Sequence, residues 1–295
     1  MYSSIAANKR NTIFIMVLFI GIIGAIGWAV SYVLYGNSNI APYILAVAAI
    51  YAFIQYFIAG KLAVATTGAI EIEKSDNPRF FRIVENLAIT TGIQTPKVYI
   101  INDPAPNAFA TGRDPSHAIV AATSGLLDIM DDSELEAVMA HEMGHVQNYD
   151  IRVSMIAFGL VSAIAFLSDI VLRMMFFGGD RRNSDSNASP IMLVIGVIVI
   201  ILAPIIALIV QMAVSRQREY LADATSALTT RNPEALETAL AKLGQFGRPM
   251  KKQSTSTAHL FISDPLKPGL ISKLFSTHPP LQDRINRLHN NENKF

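Results

Sequence analysis

Four long apolar segments constrain the fold of this 295-residue chain more than any other feature. They cover residues 12–35, 40–59, 153–172 and 190–215. The only charged residue in these segments is Asp169, near the end of the third. About 20 apolar residues cross the hydrocarbon core of a bilayer, roughly 30 Å thick. Charged residues make up only 16% of the chain, against about 25% in soluble domains. We therefore expect four transmembrane helices.

Basic residues predict the orientation of these spans. Lys9 and Arg10 precede the first span, and if the spans form two hairpins, every Lys and Arg except Arg173, Arg181 and Arg182 lies on one side. Lys and Arg concentrate in cytoplasmic loops, so we expect the N-terminus, the C-terminus and both soluble stretches in the cytoplasm. The first span is too long for a signal peptide and no A-x-A-like site closes it, which favours a retained anchor.

The two soluble stretches, residues 61–152 and 216–295, are long enough together for one domain. Helical periodicity predicts helices at residues 78–91, 132–149 and 280–289, with further helical structure from 216 to 243. Three short strands are predicted at residues 97–102, 107–111 and 117–122, separated by Pro and Gly turns. A stretch rich in Gly, Pro, Lys, Ser and Thr, residues 244–273, predicts a mobile loop.

The motif His141-Glu142-Met143-Gly144-His145 predicts a hydrolytic metal site. Two histidines at i and i+4 project from one face of a helix and can bind one metal ion, and the Glu then lies beside a water on that metal. The acidic sequence before the motif predicts the start of its helix, with Ser133 and Glu136 at the spacing of a capping box.

Glu219 is the candidate third ligand, because a catalytic zinc ion usually has three protein ligands. Two predicted spans separate it from His145, so the chain returns to the side on which the motif lies. Asp223 lies four residues after Glu219, on the same helical face, where it can accept the free ring N–H of a ligating histidine. The residues alone leave His278 or another acid as alternatives to Glu219.

The ordered set of motifs resembles the HtpX-type membrane zinc metallopeptidases, relatives of the prenyl-protein (CAAX) proteases among the gluzincins. The resemblance rests on the motif HEMGH, on REYLADA at 218–224, on NAFATG at 107–112 and on STHPP at 276–280. It implies one Zn²⁺ per chain on His141, His145 and Glu219, with Glu142 as the catalytic acid and base and Asp223 as the partner of a ligand. It also implies degradation of damaged or misfolded membrane proteins in bacteria.

Further site residues follow from the same resemblance. It implies that His278 lies in the active site, which makes His278 our choice for the donor to the developing oxyanion, whereas the residues alone favour a turn at His278 before two prolines. Arg284, six residues later, is a second candidate and a candidate substrate contact. Asn107, Ala108 and Phe109 could form a strand that pairs with an extended substrate. An ordinary turn-flanked strand is the alternative for this segment.

These observations predict an α+β membrane protein with four transmembrane helices and a mainly helical, gluzincin-like cytoplasmic zinc-protease domain carrying a small β-sheet. Its parts are a first transmembrane hairpin (1–60), the first half of the catalytic domain (61–152), a second hairpin (153–215) and the second half of the catalytic domain (216–295). We expect it in the bacterial cytoplasmic (inner) membrane.

The expected function is cleavage of unfolded or misfolded membrane proteins at the cytoplasmic surface of the bilayer. One alternative is a prenyl-protein or peptide-processing membrane protease. Another is a membrane chaperone or scaffold with a structural zinc ion, although such sites normally have four protein ligands and no general base. The net charge of +1 and the absence of a Gly-rich phosphate loop give no reason to expect nucleic acid. The residues do not indicate an oligomeric state.

Overall fold

Two long helices form an antiparallel hairpin in the computed structural model, which describes residues 2–35, 37, 39, 41–162, 216–254, 256–266 and 279–291. They are α1 (Tyr2–Tyr35) and α2 (Ala41–Thr67). Within the described residues, 5–25 of α1 and all of α2 are long and apolar enough to cross a membrane. Large apolar side chains such as Val47, Ile50 and Phe53 are exposed on α2. An exposed apolar surface of this kind suits lipid better than water.

A third helix continues this layer. Residues 150–162 are helical and almost entirely buried, and the Tyr51 hydroxyl of α2 donates to the carbonyl of Gly159 at 3.1 Å. A Cβ on Gly159 would lie 2.6 Å from the side-chain oxygen of Gln55, so glycine permits the close approach. This helix is the beginning of the predicted third span. The rest of that span and all of the fourth lie outside the described residues, so four transmembrane helices remain a prediction.

A four-stranded sheet has the order β1-β2-β4-β3. The strands are β1 (Ile70–Glu71), β2 (Lys97–Ile101), β3 (Ala108–Gly112) and β4 (Ala118–Thr123). β2 and β4 pair in parallel, and the other two pairings are antiparallel. All three predicted strands are confirmed to within one residue at each end. β1 was not predicted, because two residues are too short to show the alternation of a strand.

Helices surround the sheet and enclose one central helix. In chain order they are α3 (Pro78–Thr91), α4 (Ser124–Ile129), α5 (Asp132–Gln147), α6 (150–162), α7 (Arg216–Thr230), α8 (Pro233–Phe246) and α9 (Leu281–His289). α5 contacts α3, α7, α8 and β3, and its residues are buried on nearly every face. The histidine motif therefore lies inside the core of the domain, between the sheet and two helices.

The start of α5 differs from the predicted one. Asp131 is the N-cap: its carboxylate accepts from the backbone N–H of Glu134 at 2.9 Å, and the Glu134 carboxylate accepts from the N–H of Asp131 at 2.9 Å. The helix does begin with a capping box, but the predicted pair of Ser133 and Glu136 is wrong. Lys242 of α8 donates to Glu134 at 2.6 Å, a tertiary contact that favours the earlier box.

The loop predicted at residues 244–273 begins later than expected, and part of it is buried. α8 continues to Phe246, and Leu260, Phe261 and Ile262 are buried against the sheet and the helices. Residues 267–278, with His278 among them, lie outside the described residues.

We expect Asp131→Ala to lower the free energy of unfolding by about 1 kcal/mol, the usual effect of losing an N-cap. The hydrogen bond from the N–H of Glu134 lowers the pKa of the Asp131 carboxyl. Its stabilisation is therefore present above the unfolded-state pKa and lost as the pH falls through the folded-state pKa. Denaturant unfolding of the detergent-solubilised protein at neutral and acidic pH measures both effects.

Ser133→Ala is the comparison variant: it removes a hydroxyl that donates to the Asp131 carboxylate at 2.7 Å but leaves both bonds of the capping box, so we expect a smaller loss, below about 0.5 kcal/mol. Equal losses in the two variants would contradict the assignment of Asp131 as the cap.

Candidate metal and active site

α5 and α7 bring three potential metal ligands together. The Nε2 atoms of His141 and His145 are 3.2 Å apart. Nε2 of His145 lies 3.5 Å from one carboxylate oxygen of Glu219, and Nε2 of His141 lies 3.8 Å from the other. Ligand atoms bound to one tetrahedral zinc at 2.0–2.2 Å are separated by about 3.3 Å. The three side chains thus fit one zinc ion, as the sequence predicted, and their potential ligand atoms all lie within 4.8 Å of one another.

A glycine inside the motif permits this convergence. A Cβ on Gly144 would lie 3.3 Å from the Cβ of Thr225 on α7, tighter than almost all real contacts of this kind. The Ser226 hydroxyl donates to the carbonyl of Ala137 at 2.6 Å and fixes the two helices against each other. This packing holds the first turn of α7, which carries Glu219, opposite the two histidines.

Each histidine has a carboxylate at its other ring nitrogen. Nδ1 of His141 lies 2.9 Å from Asp223, and Nδ1 of His145 lies 3.0 Å from Asp150. Such partners fix the tautomer and the orientation of a ligating imidazole and raise its basicity. The position of Asp223 agrees with its predicted role.

Sequence reasoning missed Asp150. Its side chain reaches His145 because the chain turns sharply at Tyr149, whose φ of 60° is in the left-handed region. A non-glycine residue rarely adopts this conformation. An acid shortly after the motif helix was the one signal available, and it does not by itself specify this geometry.

The guanidinium of Arg284, on α9, lies behind the ligands and is fully buried. It donates from Nε and Nη2 to the two oxygens of Asp223 at 2.9 and 2.6 Å, and Nη1 lies 3.7 Å from Glu219. This bidentate pair gives Arg284 an anchoring role that the sequence did not indicate. Its contact with substrate stays a prediction, as does the role of His278, which lies outside the described residues.

The two histidines have opposite electrostatic environments. Burial, together with the charge of Arg284, lowers the pKa of His141 to about 4. Burial also lowers the pKa of His145, but the hydrogen bond to Asp150 and the charge of Glu219 outweigh it and raise the pKa to about 9. For Asp223, burial raises the pKa, but the charge of Arg284 outweighs it, so the pKa is lowered and the carboxylate stays ionised.

Glu142 belongs to the same buried cluster. Its residue is only 2% exposed, and its negative charge contributes to raising the pKa of His145 and of Arg284. The acid of the motif is therefore electrostatically coupled to a potential ligand and to the guanidinium behind it.

The predicted substrate strand is covered by the chain itself. Asn107 and Phe109 are buried, and the side-chain amide of Asn107 donates to the Ser263 carbonyl at 2.8 Å and accepts from its N–H at 3.1 Å. The N–H of Ile262 donates to the carbonyl of Ala108 at 2.9 Å, and Phe261 packs edge-on against Phe109. An extended substrate at this position would have to displace residues 261–263.

Comparison with known proteins identifies the family. The model of peptidase family M48 matches residues 74–292. The chain belongs to peptidase family M48. Over 295 residues it is 58% identical to a protease HtpX homolog of Tropheryma whipplei (strain Twist), covering 100% of both chains. It is 45% identical to one of Streptococcus gordonii, covering 98% of this chain and 99% of the relative.

Among solved structures, the crystal structure of S. mikatae Ste24p matches with a TM-score of 0.48 and 19% identity. The match covers 93% of this chain and 61% of that chain. The chain thus spans about three fifths of the length of that protein.

The predicted resemblance to HtpX-type peptidases is confirmed by these relatives. M48 is a family of typically zinc-dependent metalloproteases, and the His-His-Glu group can bind such a metal. Together with the two apolar helices, the relatives support a membrane metalloprotease.

We expect Arg284→Met to destabilise the metal-free protein by about 3–5 kcal/mol, because it leaves buried carboxylates without their cation. Unfolding of the chelator-treated protein measures this loss. Arg287→Met is the matched control on the same helix: Arg287 is exposed and lies over the ring of Tyr220, a contact worth about 0.5–1 kcal/mol. Equal losses would contradict the anchoring role of Arg284.

Proposed function

We propose that this chain is an integral-membrane zinc endopeptidase that cleaves unfolded or misfolded membrane proteins at the cytoplasmic surface of the bacterial inner membrane. The observation that carries the proposal is the convergence of His141, His145 and Glu219 at zinc-ligand spacing, beside the buried acid Glu142. Three protein ligands leave one coordination position for water, the pattern of catalytic zinc. A structural site would require a fourth protein ligand, which is not found among the described residues.

The chemistry follows from these groups. A bound zinc ion would lower the pKa of a coordinated water to about 7 and would polarise the peptide carbonyl. Glu142 accepts the proton of the attacking water, holds it on its carboxylate and delivers it to the leaving amine. Asp223 and Asp150 hold the Nδ1 atoms of the two histidines, so that the Nε2 atoms face the metal position. His278, with Arg284 as the alternative, is the proposed donor to the developing oxyanion.

The position of the site beside the hairpin supports membrane-protein substrates. Asn8 of α1 donates to Asp150 at 2.6 Å, and Asp150 is the partner of His145. The metal position therefore lies at the end of the domain that faces the membrane helices. Segments emerging from the bilayer can reach it, and the backbone of β3 can pair with an extended segment once residues 261–263 are displaced.

The hairpin supports the proposed orientation. Its two ends both meet the domain: Asn8 of α1 contacts Asn148 and Asp150, and Gly60 of α2 lies against Gly112 and Met155. The helices leave the domain and return to it, which supports a location of residue 8 and the site on one side of the membrane. The distribution of Lys and Arg supports the cytoplasmic side.

We expect Glu142→Gln to bind about one zinc per chain, as the wild type does, and to cleave an unfolded model protein about 10²–10⁴-fold more slowly, the usual contribution of a general base. Metal analysis and cleavage kinetics on the purified protein provide the two measurements. His145→Ala is the control that should lose zinc together with activity. Cleavage by Glu142→Gln at the wild-type rate would refute the mechanism.

The absence of cysteine allows the topology to be tested with single-cysteine variants. We expect Asn39→Cys, between α1 and α2, to react with a membrane-impermeant maleimide in intact spheroplasts, because it lies outside the cell. Ser116→Cys, exposed on the domain, should react only after the membrane is disrupted. The reverse pattern would show that the site faces outward.

A further inference from the structure

A buried asparagine links the first membrane helix to the metal site. Asn8 is 3% exposed, and its side-chain amide donates to Asp150 Oδ1 at 2.6 Å and to the Asn148 carbonyl at 2.7 Å. It lies on α1, within the segment apolar enough to cross a membrane. A buried polar side chain is costly unless it is hydrogen-bonded, and both bonds of this one cross to the turn that follows the motif helix.

The same turn is held by a second residue of α1. Tyr149, in its left-handed conformation, has the ammonium of Lys9 4.8 Å from the centre of its ring and the guanidinium of Arg152 also 4.8 Å away. A strained residue of this type costs about 1–3 kcal/mol and persists when its surroundings determine it. Asn8 and Lys9, adjacent on α1, supply part of those surroundings.

Asp150 connects Asn8 to the proposed ligand His145. Its Oδ1 faces Asn8, and its Oδ2 lies 3.0 Å from Nδ1 of His145. The guanidinium of Arg218, next to the ligand Glu219, approaches Asp150 Oδ1 at 3.6 Å. The orientation of the carboxylate, and with it that of the imidazole, thus depends on a donor that belongs to the membrane helix.

We propose that Asn8 is a positioning residue of the metal centre, which acts through Asp150 on the ligand His145 and so couples the first membrane helix to metal affinity. The inference rests on the proposed zinc site. It adds that the soluble elements do not complete this site alone: α1 supplies part of the hydrogen-bonded frame around the ligands.

The test is the zinc affinity of the full-length protein in detergent, measured by competition with a chelator. Loss of a carboxylate that orients a ligand typically weakens metal affinity by 10–100-fold, which we expect for Asp150→Asn. Asn8→Leu, one step further out, should weaken it about tenfold and alter the visible absorption of the Co²⁺-substituted protein. Asn8→Ala, which favours the helix, should have the same effect and guards against misfolding caused by the larger side chain.

Thr12→Val is the matched control. Thr12 is buried one turn further along α1 and donates to the carbonyl of Asn8 at 3.0 Å, so this variant removes a buried polar group from the same helix without removing the donor to Asp150. Its zinc affinity and Co²⁺ spectrum should match the wild type.

A double-variant comparison separates positioning from general destabilisation. In the Asp150→Asn background, Asn8→Leu should cause little further loss of affinity, because the pathway through Asp150 is already broken. Three results would overturn the inference. They are wild-type zinc affinity in both Asn8 variants, a loss of affinity in them equal to that of Thr12→Val, and the same loss from Asn8→Leu in the wild-type and Asp150→Asn backgrounds. A wild-type protein that bound no zinc would instead refute the proposed function, so the two failures are distinct.

Discussion

The position of the histidine motif inside the hydrophobic core is the constraint on which the rest of the structure depends. His141 and Glu142 are almost completely buried on α5, and polar groups in such a place need partners. The surrounding elements supply them: α7 contributes Glu219 and Asp223, and α9 contributes Arg284. The three helices are thus held together by the charges of the site as well as by apolar packing.

The site is also in contact with the helices of the predicted membrane hairpin. α5 ends in a turn that Asn8 and Lys9 of α1 contact. α6 begins after that turn and packs along α2. The ligand His145 therefore lies at the junction between the domain and the membrane helices. This position is the basis for the proposed substrates, segments that emerge from a bilayer, and for the proposal that α1 helps to hold the metal site.

Several features could be predicted because they depend on local patterns. The spacing of His141 and His145 needs only a helix, and the strands needed only alternation and turn residues. For Glu219, counting the predicted spans was only a check on one candidate among several, and the family resemblance made the assignment; its carboxylate lies within 4.8 Å of the histidine ligand atoms.

The remaining features depend on contacts between distant parts of the chain. Asp150 reaches His145 only through the unusual backbone of Tyr149, and Asn8 gave no sign of a partner some 140 residues away. The contact of residues 261–263 with β3, through the hydrogen bond from the N–H of Ile262 to the carbonyl of Ala108, also joins distant parts of the chain. The capping box of α5 at Asp131 and Glu134 includes such a contact too, since Lys242 of another helix binds Glu134.

The central claim is that zinc binds to two histidines and one carboxylate and keeps an open position. X-ray absorption spectroscopy of the zinc-loaded, detergent-solubilised protein tests it most directly, because the scattering of imidazole rings counts the histidine ligands. We predict two imidazoles, with the remaining ligands being oxygen at about 2.0–2.2 Å. A third imidazole would contradict the account, since zinc would then have a histidine ligand in place of Glu219 or in addition to it.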